Sequence, residues 1–249
     1  MGNNLKNIKL VIQYEGTKYQ GWQRQESTGN TIQSKLESIF KKMTGEEVEI
    51  NGSGRTDSGV HAYGQVANVM LATDLSAKEI MEYANQYLPE DIAIIKATEV
   101  NERFHARLNA KGKKYVYRVK NTSIPNVFER RYTYEFPLSL NLDEMQKAAN
   151  MLVGTHDFKT FCSKNKVKKS TIRTIESIKI ERVADEVRFT YTGNGFLYHM
   201  VRIITGTLLE IGSGQRKADE ITEILEKGLR ENAGPLVPGK GLTLLEVFY

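Results

Sequence analysis

Segments with a two-residue apolar period alternate along this chain with segments that carry helix caps, and that alternation confines it to layers of helix against sheet. Ile8, Leu10, Ile12 and Tyr14 alternate with Lys9, Val11 and Gln13, the pattern of a strand. Ile32, Leu36, Ile39, Phe40 and Met43 then mark one face of a helix, with Asn30 or Thr31 placed as N-cap and Gly45 as the stop. A strand is expected over 65–71. Ser76 and Glu79 have the spacing of a capping box for a second helix, whose Ile80, Tyr83, Ala84 and Tyr87 share a face before Pro89 ends it. Residues 92–97 and 114–119 read as extended.

The second half alternates in its own way. Asn141 and Glu144 form another capping box before a helix through Leu152, and 172–182 and 186–192 are strand-like. Met200, Ile203, Ile204, Leu208 and Ile211 trace a strongly apolar helix, 221–229 another, and 242–248 the last strand. The class expected is α+β. At 249 residues the chain suits one large domain or two closely packed halves, and Pro125 and Pro137 put the joint between Thr122 and Leu140, giving halves 1–122 and 123–249. A content of 40% apolar and 26% charged residues without low-complexity tracts argues against a disordered binder.

No apolar run approaches the ~20 residues of a membrane span, and the stretch from Met1 to Leu10 has no signal-peptide core. Cys162 is the single cysteine, so no intrachain disulfide forms and a cysteine-based zinc site is disfavoured. A cytoplasmic protein is expected. His61, His105, His156 and His199 lie far apart with no i, i+4 pair, so no metal site is expected. The net charge of +5 is mild but clustered. Arg103, Arg107, Lys111, Lys113, Lys114, Arg118 and Lys120 form one group, read as suited to a phosphate backbone, and Lys164, Lys166, Lys168, Lys169 and Arg173 a second, which would suit one too but reads first as a solvated charge run.

Chemistry concentrates in Gly54-Arg55-Thr56-Asp57-Ser58-Gly59-Val60-His61-Ala62, which sets Asp57 between two glycines and two residues after an arginine. The glycines permit close approaches, and Arg55 can hold a carboxylate ionised or grip a phosphate. This stretch resembles the G-R-T-D-x-G-V-H-A signature of the TruA-type tRNA pseudouridine synthases. Tyr14-Glu15-Gly16 with Tyr19, Gly21 to Gln25, Phe104-His105-Ala106-Arg107, Lys113 to Tyr117, His199-Met200-Val201-Arg202 and Gly241-Leu242 to Tyr249 follow in the family's order, so the resemblance spans nearly the whole chain. Glu15 in place of Asp, Leu108-Asn109 in place of Phe-Ser, and Ile203 in place of a polar residue are its departures. The resemblance implies two ferredoxin-like halves forming one continuous mixed sheet, helices packed on it, a central RNA-binding cleft and a homodimer. It also implies action on uridines 38, 39 and 40 of the tRNA anticodon stem-loop.

That reaction breaks the bond from ribose C1′ to uracil N1, turns the base and rejoins it through C5. Its stoichiometry involves no redox change, group donor or hydrolysis, so no cofactor or metal is required. A carboxylate can add to C6 or to C1′, or remove a ribose proton, and the residues do not choose among these routes. The resemblance makes Asp57 the catalytic residue, pairs it with Arg202, gives Arg55 to the RNA and the extruded nucleotide's place, and makes Tyr115 the active-site tyrosine. There Tyr115 can stack on a flipped uracil and help remove the C5 proton. Arg202 stands in an otherwise apolar helix, where a charge needs a partner if buried. Tyr117 reads as core. Trp22, with Gln23, Arg24 and Gln25, suits either sugar–phosphate contact or support of the site, and His61 is placed to brace the loop. A non-catalytic tRNA binder or chaperone would keep the cleft without turnover, and a metal-dependent RNA hydrolase would need more carboxylates or histidines than this motif holds.

Overall fold

The computed structural model describes residues 5–163 and 170–249, with ten strands and five α-helices among them. The protein is α+β. Its chain contacts divide it into two units: residues 1–111 with 244–249, and residues 112–243.

The first unit runs β1 (Leu5–Tyr14), α1 (Ile32–Thr44), β2 (Ile50–Gly52), β3 (His61–Ala72), α2 (Ala77–Tyr87) and β4 (Ile92–Val100). Antiparallel pairing in the order β4-β1-β3-β2 makes this a ferredoxin-like βαββαβ unit. Ile8, Leu10, Ile12 and Tyr14 turn inward and are buried with Leu36, Phe40 and Ile80 of the helices, as the alternation requires. Thr31 is the N-cap of α1, its side chain accepting from the Ser34 amide, and Gly45 closes the helix in the left-handed conformation. Both halves of the Ser76–Glu79 capping box are formed.

The second unit contains β5 (Gly112–Lys120), β6 (Tyr134–Glu135), α3 (Leu142–Met151), β7 (Gly154–Asp157), β8 (Ile172–Val183), β9 (Glu186–Gly193), α4 (Met200–Gly212) and α5 (Glu220–Lys227). Its sheet runs β5-β9-β8-β7 with antiparallel neighbours, and β6 pairs in parallel with β5. Asn141 caps α3 through its side chain. β10 (Leu242–Phe248) crosses the division, its residues from Leu244 onward belonging to the first unit.

The division at Lys111 and Gly112 precedes the 122–140 stretch marked by the prolines. β5 pairs with β9 along its whole length, from Lys113 opposite Gly193 to Lys120 opposite Glu186, and so goes with the second unit. The proline-bearing segment is then tied back to β5, with the Phe136 amide donating to Lys120 O and Asn121 Nδ2 donating to the carbonyls of Phe136 and Leu138. Among the described residues no helix is long and apolar enough to cross a membrane.

Candidate active site

Asp57 sits half-buried in a loop between β2 and β3 that is fastened on both sides by the first unit's own chain. The Trp22 amide donates to Thr56 O at 3.1 Å, the Thr56 hydroxyl bonds the Tyr14 hydroxyl at 2.8 Å, and the Val60 amide turns back to Asp57 O at 3.2 Å. Ser58 Oγ donates to Tyr19 O at 3.1 Å. At the loop's entry Gln65 Nε2 donates to Gly54 O at 3.1 Å, while Gln65 Oε1 accepts from Ser53 Oγ at 2.8 Å. Burial pushes the Tyr14 phenol well above its ordinary value, against the bonds to Thr56 and Gln65, so its hydroxyl stays protonated as a fixed strut.

Two glycines let the neighbouring loop touch this one. A Cβ on Gly16 would lie 2.0 Å from Val60 O, and one on Gly21, whose φ is +88°, would lie 2.6 Å from Thr56 O. His61 braces the same contact: its Nδ1 accepts from the Gly16 amide at 3.0 Å, which leaves the ring hydrogen on Nε2. Glu15 Oε1 lies 3.5 Å from that Nδ1, but an ion pair would need a proton where the ring is already accepting one. Trp22 is 1% exposed and packs beside Tyr14, with ring centroids 6.2 Å apart, so its role is support rather than RNA contact.

Arg55 is exposed, and its Nε donates to Gln23 Oε1 at 3.0 Å. The loop bearing Gln23 is pinned in turn: Gln33 Oε1 accepts the Arg24 amide at 2.9 Å, and Glu37 Oε2 accepts from the Arg24 guanidinium at 3.1 Å. Buried Glu37 also takes Gln33 Nε2 and the Ile50 amide, so one carboxylate ties α1, β2 and this loop together. Gln65, Gln33 and Glu37 were not singled out from sequence, and Tyr14 reads there as a strand residue and part of a family motif rather than as a support of this loop. The available signal was polar side chains within or beside apolar faces, as with Gln65 in β3 and the i, i+4 pair Gln33 and Glu37 in α1.

Tyr115 and Arg202 belong to the second unit. Tyr115 lies on β5 opposite Tyr191 of β9, nearly buried, with its ring edge-on to Phe196 at 5.3 Å and 87°. Tyr117, two residues along on the same face, is wholly buried and donates its hydroxyl to Pro238 O at 2.7 Å. Burial raises its phenol far above the usual value, and the nearby Arg202 charge only partly opposes that. Arg202, half-buried on α4 among buried neighbours, donates Nε to Val237 O at 2.8 Å. His199 precedes the helix in the left-handed conformation, φ 65°, and its ring stacks on Tyr198 at 3.6 Å.

The first basic cluster divides. Arg118 is engaged by Glu186 and Glu129, and buried Lys120 by Asp185 at 2.5 Å, so these two cations serve the fold rather than a phosphate backbone. Arg103, Arg107 and Lys111 remain exposed on the first unit. Lys164, Lys166, Lys168 and Lys169 of the second cluster lie outside the described residues. Among the described residues no group of three or more His, Cys, Asp or Glu side chains is placed to hold a metal ion.

A family model described as tRNA pseudouridine synthase matches residues 10–109 and 148–249, which takes in Arg55, Asp57 and Arg202 and leaves Tyr115 between the two matched stretches. The chain belongs to the tRNA pseudouridine synthase family. It is 44% identical over 245 residues to tRNA pseudouridine synthase A of Acetivibrio thermocellus, covering 98% of this chain and all of that one. It is 45% identical over 245 residues to tRNA pseudouridine synthase A 2 of Clostridium perfringens, with the same coverage, and 45% identical over 230 residues to tRNA pseudouridine synthase A of Bacillus sp., covering 92% of this chain and 94% of that one. As a tRNA pseudouridine synthase it is an isomerase acting on tRNA.

Proposed function

We propose that this synthase converts uridines 38, 39 and 40 of the tRNA anticodon stem-loop to pseudouridine, with Asp57 as the catalytic carboxylate. The observation that carries the reading is the fastening of the Asp57 loop: Thr56, Ser58 and Gly54 are each bonded to groups outside the loop, which holds the intervening aspartate in place. A uridine within a stem-loop must leave its stack before C6 or C1′ can be reached. Asp57 then adds to the base or sugar, or takes a ribose proton, and the base rejoins through C5 with nothing gained or lost overall. Arg55 binds the RNA where the base has left, Tyr115 stacks on the flipped uracil and helps remove the C5 proton, and Arg202 pairs with Asp57. These roles follow the family resemblance residue by residue. Each half contributes to one catalytic unit, the assembly is a homodimer, and the enzyme works in the cytoplasm without a cofactor.

A pseudouridine map of tRNA treated with the purified protein tests the target sites. Asp57→Ala should abolish the product while tRNA affinity stays within about threefold, since phosphate contacts supply most of the binding. Wild-type turnover by that variant would remove Asp57 from its role, and a map lacking positions 38 to 40 would overturn the assignment of target.

A further inference from the structure

Two lysines with no acid between them stand on the face of the first unit's sheet turned away from α1 and α2. In the β1–β4 register Lys9 lies opposite Thr98 and Lys96 opposite Val11, so the lysines are diagonal neighbours on one face. Neither makes an ion pair among the described residues. The Lys9 ammonium is held 3.9 Å from the centroid of the Tyr249 ring and 5.3 Å from that of Phe104, the two rings themselves 5.3 Å apart. Both rings are anchored. Tyr249 donates its hydroxyl to Ala106 O at 2.7 Å, the Ala106 amide donates to Asn68 Oδ1 at 2.8 Å, and Asn7 Nδ2 donates to Phe104 O at 2.9 Å.

We propose that Lys9 and Lys96 form a phosphate-binding site that takes up the backbone of the substrate tRNA. Like charges on neighbouring strands oppose folding, and an anion between them reverses the sign of that contribution. Burial, and then the Lys96 charge, already hold the Lys9 ammonium below its ordinary value. Cation–π contact with two anchored rings restrains the ammonium in advance, so less side-chain freedom is lost when a phosphate arrives. The same contact occupies the ring faces a nucleobase would stack on, which favours backbone over base. Lysine supplies a point charge for phosphate without the fork that would fix one orientation. The site rests on tRNA being the ligand and not on the role given to Asp57.

Filter binding of tRNA to the full chain across a salt series provides the test. Replacing both lysines, as Lys9→Gln with Lys96→Gln, should lower the slope of log K against log salt by about 0.7 to 0.9, the loss of one phosphate contact, and each single replacement should take away part of that. Lys9→Arg and Lys96→Arg should restore it. Lys78→Gln removes the same charge from α2, where Lys78 pairs with Glu82, and should leave the slope as in the wild type. A wild-type slope in Lys96→Gln, whose side chain is exposed and independent of the ring cluster, overturns the site even if Lys9→Gln disturbs folding. An equal loss in Lys78→Gln also overturns it, since net charge would then explain the effect. Loss of turnover in Asp57→Ala with an unchanged slope in the lysine variants sinks this site alone.

Discussion

Around Asp57 the chain is fixed by polar bonds to main-chain groups, whereas around Tyr115 it is fixed by strand register and packed rings. Thr56, Ser58 and Gly54 owe their places to Tyr14, Tyr19 and Gln65, with backbone meeting backbone where Gly16 approaches Val60. Tyr115, Tyr117 and Val119 instead face the core opposite Tyr191, Phe189 and Val187, and Phe196 covers the Tyr115 ring edge-on. Polar bonds have narrow geometry, and an orphaned buried partner costs more than the mean bond contributes. Packing tolerates small shifts as long as volume is conserved. The loop should therefore fail abruptly when altered and the strand gradually.

The largest contrast is expected between two glycines. Gly16→Ala puts a methyl carbon 2.0 Å from Val60 O, a main-chain atom that cannot yield without moving the Asp57 loop. A loss on the order of 3 kcal/mol, or ~6–12 °C in melting temperature, should come with loss of turnover. Gly212→Ala places its methyl 2.3 Å from Met145 Sδ, 2.8 Å from Met145 Cγ and 2.9 Å from Leu140 Cδ2, but side chains can repack where main chain cannot, and a cost of about 1–2 kcal/mol with turnover kept is expected. Equal melting temperatures for the two variants would break the contrast.

A smaller difference separates two buried tyrosines. Tyr14→Phe deprives the buried Thr56 hydroxyl of its 2.8 Å partner, which should cost about 2 kcal/mol and slow single turnover at saturating tRNA. Tyr191→Phe removes an equally short bond to Thr205, yet Thr205 still donates to Val201 O, so about 1 kcal/mol or less is expected with turnover retained. Denaturant titration and single-turnover kinetics on the pair decide it. Where the two regions agree is alkaline pH. Burial raises the phenols of Tyr14 and Tyr191 above the ordinary value of 10.0, so their contribution to stability is whole below that pH and is lost as pH rises through it. Above pH 10 each should cost on the order of 1 kcal/mol per pH unit, read as a falling melting temperature that Tyr14→Phe and Tyr191→Phe each soften.

Tyr115 gives the smallest expected effect on folding, with its effect falling on the chemistry. Tyr115→Phe keeps the ring against Phe196 and loses only the hydroxyl, so turnover should slow while tRNA affinity stays near normal. Tyr115→Ala also loses a stacking face worth ~1–3 kcal/mol for a captured base. Wild-type single-turnover rates in both variants would take Tyr115 out of the reaction.

Local signals were legible in the sequence, and long-range ones were not. Thr31, Gly45 and the Ser76–Glu79 box mark helix ends through bonds made within a few residues, and they stand where the spacing puts them. The strand expected over 65–71 is longer, beginning at His61, because the end of the motif itself pairs with β1, with Ala62 opposite Tyr14. β2 is three residues long and formed by pairing with β3, which no local period announces. The same reason hides the unit boundary, since β5 is claimed by a strand more than sixty residues later. At the site, the motif pointed to Asp57 and Arg55, but their supports come from side chains distant in sequence whose burial turns ordinary polar residues into struts.

The last residues of the chain, from Leu244, fold with the first unit although the whole second unit is made before them. On the ribosome the first unit is therefore expected to lack its last strand until they emerge. Until Tyr249 emerges, Lys9 lacks one of its two rings and Ala106 O lacks its donor, and the side of β3 that β10 will cover stays open. The second unit, apart from its share of β10, has no such delay, so folding order is expected to run opposite to translation order. A nascent chain halted after residue 243 should show protease-resistant second-unit fragments before first-unit ones.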